Sequence, residues 1–399
     1  MLSYVSSEIE TPFQPSNPVR PENFKGREEV IRKILRYVPN ALNCEAQHFF
    51  LMGNKGMGKT SISDFIINYV QEEYNLACSY TSNKGNNSIE VLTSKILINL
   101  LNNMPKESRM DKVKSWFGEH ISEIEVAGTK LKFDVDNYKQ EKIKENFLIY
   151  LNHAFEDLKE YYNGIFIVID DINGLSQSRE FVDWYKQLAD TIIVDKYYRL
   201  PVYFLLIGYP EKFDNLVEME TSFGRIFYTS NIGDLSNMEV KEFFIDTFNT
   251  IDVSIEEDAL ELMAQYSSGV PLTMQQIGDS IFWNLTKNKI TLHEARKGIH
   301  EAALELGSRQ IRRTLNHIKS PTYEKILLKI GKNKMSSFTT KTLEEILSPS
   351  ETEILPKFIN EMLRINMIKI IDERDNITEY EFVEKTFYTY YNISASQQI

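Results

Sequence analysis

Apolar residues in this chain fall into two kinds of pattern, unbroken runs and runs at helical spacing, and the two alternate through the first 235 positions. His48-Phe49-Phe50-Leu51-Met52, Gly164-Ile165-Phe166-Ile167-Val168-Ile169 and Pro201-Val202-Tyr203-Phe204-Leu205-Leu206-Ile207 are continuous. Continuous apolarity suits strands covered on both faces, as in a parallel sheet. Leu76–Tyr80 reads as a further strand. Between them, Ser61–Val70, the set Ile89, Val91, Leu92, Ile96, Leu97 and Leu100, and residues 141–160 carry helical spacing. Strand and helix in alternation predict an α/β core, a parallel sheet with flanking helices.

The pattern changes at both ends and once inside. Residues 1–22, with Pro12, Pro15, Pro18 and Pro21, predict an extended arm, followed by an amphipathic helix through Val30, Ile31, Ile34 and Leu35 to Tyr37. Within the core, residues 103–147 read as an insertion. There Ile124, Val126, Leu131, Phe133 and Val135 alternate as a small hairpin would. Residues 236–319 read as helices only, opening at Ser236 with Glu239 as a capping box. Residues 320–399 predict helices around Tyr323–Ile330, Thr340–Leu347 and Glu353–Ile365. A two-stranded wing, Met367–Ile371 and Ile377–Val383, follows across the turn Asp372–Asn376. Three helices and a wing describe a winged helix. The expected domains are therefore an arm (1–22), an α/β domain (23–235), an all-α domain (236–319) and a winged helix (320–399).

The chemistry is concentrated where the first unbroken run ends. Gly53-Asn54-Lys55-Gly56-Met57-Gly58-Lys59-Thr60-Ser61 matches G-x-x-x-x-G-K-[ST] between a strand and a helix. Gly53, Gly56 and Gly58 let successive backbone N–H groups turn inward onto an anion. The following helix adds its positive end. Lys59 can reach the outer phosphates of a nucleotide, and the Thr60 hydroxyl can ligate Mg²⁺. The second acidic site is Asp170-Asp171, at the end of the Gly164 run, where open α/β sheets bind ligands. In P-loop ATPases the first acid commonly holds Mg²⁺ and the second orients or deprotonates the attacking water, roles assigned here to Asp170 and Asp171. Asp-Ile-Asn-Gly is also good turn chemistry, and the loop upstream is what favours a metal site. The Pro201 run ends in Gly208-Tyr209-Pro210, with no Asn or Thr to sense a terminal phosphate.

Composition bounds the partners. The 399 residues carry 45 Lys+Arg against 57 Asp+Glu, a net charge of -12, which gives no support to a generally basic nucleic-acid surface. Cys44 and Cys78 have no metal-type spacing and read as buried small hydrophobes of a reducing compartment. Met1–Glu10 lacks the features of a signal peptide, and no apolar run approaches membrane-spanning length. The expectation is a cytoplasmic protein with no membrane partner.

These motifs together resemble the AAA+ and STAND ATPases, in the branch related to origin initiators and archaeal-type switch ATPases. Pro18-Val19-Arg20-Pro21-Glu22-Asn23-Phe24-Lys25-Gly26-Arg27-Glu28 looks like that family's "GRE" box. Ser268-Gly269-Val270-Pro271-Leu272 is similar to the lid motif in which proline approaches the nucleotide. The resemblance implies that Phe24, Gly26 and Arg27 flank adenine and that Pro271 closes over it. It implies ATP or ADP with Mg²⁺ as ligands, and a helical lid. The chain departs from the pattern at Leu272, where initiators place an arginine, and at Asp171, where AAA+ machines usually have Glu. A shorter carboxylate holds water less closely, so slow turnover is expected. A trans-acting arginine would neutralise charge as the terminal phosphate departs. Arg225 is the leading candidate, with Arg312 and Arg313 as alternates.

Two functions follow. The first is a slow ATP-hydrolysing switch whose nucleotide state sets lid position and controls self-association or a protein partner. The second is a DNA-associated AAA+ ATPase, of initiator or transposition-regulator kind, using the winged helix. Residues 321–399 hold 10 basic and 12 acidic residues, with Lys357 and Arg364 beside Glu353 and Glu361. Such a surface is poorly suited to neutralising phosphates, which favours the switch. A small-molecule kinase would leave the helical lid and winged helix without a role.

Overall fold

In the computed structural model, five parallel strands run side by side in the order β2-β3-β4-β1-β5. They are β1 (Gln47–Gly53), β2 (Leu76–Ser82), β3 (Gly164–Asp170), β4 (Val202–Gly208) and β5 (Tyr228–Ile232). The structure describes residues 10–20, 24–84, 88–105, 137–194, 199–307, 318, 320–374 and 377–396. The hairpin expected at 124–135, and Arg312 and Arg313, lie outside them.

The chain divides into two compact units, one formed by Arg20–Asn54 and Lys59–Gly233. This first unit holds the parallel sheet. Its strands are apolar throughout because helices cover both faces: every residue of β3 and β4 is buried. Phe50, Ile165, Ile167, Ile169, Phe204 and Leu206 share one core with Leu97 and Leu151. β4 lies between β1 and β3, with Phe50 opposite Leu206 and Ile169 opposite the same residue. Because all five strands are parallel, Gly53, Asp170 and Gly208 end at one edge of the sheet. The helix expected over residues 141–160 is two, Asn137–Glu145 and Phe147–Leu158, broken at Asn146.

The other unit gathers Met1–Val19, Lys55–Gly58 and Asp234–Ile399. Its first half is built from helices Asn237–Asn249, Glu257–Ser267, Pro271–Phe282 and Leu292–Leu306. The expected capping box forms, with Ser236 Oγ accepting from Glu239 N and Glu239 accepting from Ser236 N. The expectation of helices only is incomplete: β6 (Ser254–Ile255) and β7 (Lys289–Ile290) form a short parallel pair. Two-residue strands carry no periodicity, so no pattern could reveal them. The arm is anchored at Phe13, whose ring tilts against Phe248 at 4.9 Å and fills the space over Gly278. A Cβ at Gly278 would stand 2.1 Å from that ring. The C-terminal part holds helices Pro321–Lys332, Thr340–Glu344 and Leu355–Arg364, an antiparallel sheet β8 (Ser337–Thr339), β10 (Ile377–Phe382), β9 (Ile368–Arg374), and a final helix Lys385–Ser396.

Both cysteines are half-buried rather than enclosed. Burial pushes the Cys78 thiol up to about 12, so it behaves as an inert small side chain. No helix among the described residues is long and apolar enough to cross a membrane.

One buried histidine makes the fold pH-sensitive. His48, in β1, stacks on Phe204, hydrogen-bonds Tyr185 Oη through Nδ1 at 2.9 Å and leaves Nε2 without a partner. Burial pushes its pKa down from 6.5 to about 4. Below pH 6.5 the unfolded chain takes a proton that the folded ring refuses, so stability present above pH 6.5 is lost as pH falls toward 4. The loss amounts to about 3 kcal/mol across that window. Urea denaturation should show it, and His48→Phe should flatten this slope; an unchanged slope in the variant would assign the effect elsewhere.

Candidate functional site

The loop after β1 is made by glycines in conformations other residues avoid. Gly56 and Gly58 both have φ +82°, a left-handed value that L side chains rarely adopt. The loop feeds directly into helix Lys59–Tyr74, so the helix begins at the lysine and threonine of the motif. At its tip, Gly56 O accepts from Leu272 N at 3.2 Å, and Lys55 Nζ lies 3.4 Å from Glu384.

In the sheet unit, the structure joins Thr60 and Asp170. The Thr60 hydroxyl donates to Asp170 Oδ2 at 2.8 Å. The Tyr80 hydroxyl, on β2, donates to the same oxygen at 2.8 Å. Asp170 is buried, and a buried carboxylate is stable only with such donors. The Tyr80 phenol is raised above its ordinary pKa by burial first and then by the Asp170 charge. Asp64, one helical turn from Thr60, is also raised, by burial and by Asp170.

Lys59 Nζ donates to Gly53 O at 2.7 Å and to Asn54 O at 2.9 Å, and lies 4.7 Å from the centre of the Tyr209 ring. Burial lowers its pKa, opposed by the charges of Asp170, Asp171 and Glu211. Asp171 sits in the left-handed region at φ 58°, which Asp tolerates better than most residues. Its Oδ1 accepts from Asn173 Nδ2, and Asn173 Oδ1 accepts from Tyr209 N at 3.1 Å.

The donor set fits a hard divalent cation. A hydroxyl and a carboxylate on one side, completed by phosphate oxygens and water, are what Mg²⁺ takes at nucleotide sites. No group of three or more His, Cys, Asp or Glu that could hold a metal occurs among the described residues. A phosphate-assisted Mg²⁺ site is not of that type, so its absence does not bear on Thr60 and Asp170.

The remaining expected residues are separately placed. Phe24 packs its ring against Phe65 of the loop helix at 5.2 Å. Gly26 and Arg27 are both left-handed, and Arg27 Nη2 donates to Gly233 O at 2.5 Å. Pro271 opens helix Pro271–Phe282. Arg225 is exposed on the 3-10 turn Phe223–Ile226, just before β5. It therefore lies at the edge of the sheet opposite Lys59 and Asp170 of its own chain. Tyr80, Asn173 and Tyr209 were not expected at the site. Asn173 read only as part of a turn, and Tyr80 only as a strand residue.

A parallel sheet with β4 between β1 and β3, and a glycine loop leading into a helix at the β1 end, defines the P-loop NTPase fold. The Walker-type ATPase PABY2304 of Pyrococcus abyssi has a similar structure, with TM-score 0.56 and 17% identity over 96% of this chain and 99% of that one. So has the ORC2 protein of Aeropyrum pernix in its ADPNP–ADP complexes, with TM-score 0.54 and 13% identity over 98% of this chain and 97% of that one. The chain thus shares its fold with these two proteins. The family model described as nephrocystin 3, N-terminal, matches residues 40–195. No curated protein matches the chain in sequence.

The Tyr80 contact can be weighed directly. Tyr80→Phe removes one of two hydroxyl donors from a buried carboxylate and should cost about 1–3 kcal/mol in unfolding free energy. Denaturation without nucleotide measures it; an unchanged midpoint would mean that the phenol contributes nothing to holding Asp170.

Proposed function

We propose that this chain is a Mg²⁺-dependent ATP-binding switch that hydrolyses ATP slowly. The observation that carries the reading is the Thr60–Asp170 contact of 2.8 Å beside a lysine already facing the loop carbonyls. Residues Gly53 to Ser61 would hold the phosphates, with Lys59 on the outer ones. Thr60 and Asp170 would hold Mg²⁺, which when bound neutralises charge on the phosphate oxygens. Asp171, oriented by Asn173, would align the attacking water and accept its proton. Phe24, Gly26 and Arg27 would flank adenine, and Pro271 would report nucleotide state to a helical lid of residues 236–319. Arg225, remote from its own chain's site, would serve the site of a second copy.

The C-terminal region, 320–399, is read as a winged helix that faces protein rather than DNA. Several of its cations are already neutralised. Arg364 pairs with Glu361 at 2.6 Å, Lys369 with Glu381 at 2.9 Å, and Lys329 with Glu351 at 2.6 Å. Glu351, buried but bonded to Lys329 and Ser348, is held at about 2. Paired cations release few counterions on meeting a phosphate backbone, so DNA affinity should be weak. A partner, or a second copy, bound in a nucleotide-dependent way is the favoured output.

Lys59→Ala should abolish the stabilisation by MgATP, about 2.7 kcal/mol at a hundredfold excess over Kd. A thermal shift like that of the unmodified protein would remove the nucleotide assignment. Asp171→Asn should still bind MgATP while releasing phosphate at least tenfold more slowly. Undiminished phosphate release in that variant would transfer the base role to another residue.

A further inference from the structure

We propose that Asn173 and Tyr209 together act as the sensor of the terminal phosphate, in place of the polar residue that the end of β4 lacks. The proposal rests on the triphosphate reading of the loop given above. β4 ends at Gly208, and the next side chain is an aromatic ring. Its backbone N–H donates to Asn173 Oδ1 at 3.1 Å. That bond fixes which way the amide of Asn173 faces, because only its oxygen can accept an N–H. The NH₂ group is thereby turned toward Asp171, whose Oδ1 accepts from it. Asn173 thus reaches from the turn after β3 to the end of β4, and supplies there the amide that the sequence of β4 does not.

Tyr209 contributes a second link. Its ring lies 4.7 Å from Lys59 Nζ, and the same ammonium donates to the carbonyls of Gly53 and Asn54. An ammonium has three donors, and the two carbonyls take two of them. The third is left for a terminal phosphate oxygen, and the face of Tyr209 helps to hold the ammonium where that donor is available. Lys59, Tyr209, Asn173 and Asp171 therefore form one continuous chain from the phosphate-facing cation to the carboxylate that orients water. A diphosphate lacks the outer phosphate that Lys59 is proposed to meet, so the network would distinguish ATP from ADP. Asn173 and Tyr209 are positioning residues, acting through Asp171 and Lys59.

Calorimetric titration of the full chain with MgADP and with a non-hydrolysable Mg-bound ATP analogue tests this. The unmodified protein should prefer the triphosphate. Asn173→Ala and Tyr209→Leu should each shrink that preference at least fivefold while leaving the ADP constant within about twofold, and Tyr209→Phe should restore it. Phosphate release should fall about tenfold in Asn173→Ala. A preference unchanged in both Asn173→Ala and Tyr209→Leu overturns the sensor. So does a parallel loss of both nucleotides in these variants, which would give the pair a structural role only. Failure of the unmodified protein to bind either nucleotide overturns the triphosphate reading itself, a separate and recognisable result.

Discussion

A single buried carboxylate organises the site. Asp170 enters the interior at the end of β3, and a carboxylate there is costly unless hydrogen bonds replace its hydration. Two hydroxyls do so, Thr60 from the loop helix and Tyr80 from β2, both on Oδ2. Both donors are neutral, so neither offsets the charge of a carboxylate. An arginine or lysine in their place would have satisfied the carboxylate and closed the site to metal. The contact also ties together segments far apart in the chain, the helix after β1, β2 and the end of β3.

Lys59 presents the complementary problem. It is half-buried, with its charge opposed by desolvation and favoured by Asp170, Asp171 and Glu211. None of these acids forms an ion pair with it; it rests instead on two carbonyl oxygens and an aromatic face. Carbonyl dipoles and a ring quadrupole hold an ammonium less firmly than a carboxylate would. A phosphate oxygen can therefore compete for it. The cation is held at the loop without being neutralised there.

The sequence made legible whatever is encoded by neighbouring residues. The loop, its helix and the acid at the end of β3 each occupy a few consecutive positions, and the unbroken apolar runs of β1, β3 and β4 announced strands covered on both faces. The contacts made across strands were not legible. Tyr80 stands in β2 like any strand tyrosine, and only the pairing of Ser82 with Asp170 brings its hydroxyl to that carboxylate. Asn173 looked like turn chemistry because Asp-Ile-Asn-Gly is a turn; what it bonds depends on where β4 ends. β6 and β7 escaped because two residues hold no period.

The missing Asn or Thr after β4 shows why a motif is a weaker guide than the job it performs. What a nucleotide switch requires at that point is a group whose position changes when one more phosphate arrives. A polar side chain on β4 is one solution. In the proposed sensor, an aromatic face beside the loop lysine, joined by its own N–H to an amide that bonds the second aspartate, would meet the same requirement with different atoms. The substitution has a physical consequence. A side chain on β4 would answer the phosphate by itself, whereas in the proposed sensor the response would pass through the backbone of Tyr209, which immediately precedes helix Pro210–Met219. In that proposal the ring beside Lys59 belongs to the residue whose backbone starts a helix, and a signal carried by backbone would reach further than one carried by a free side chain.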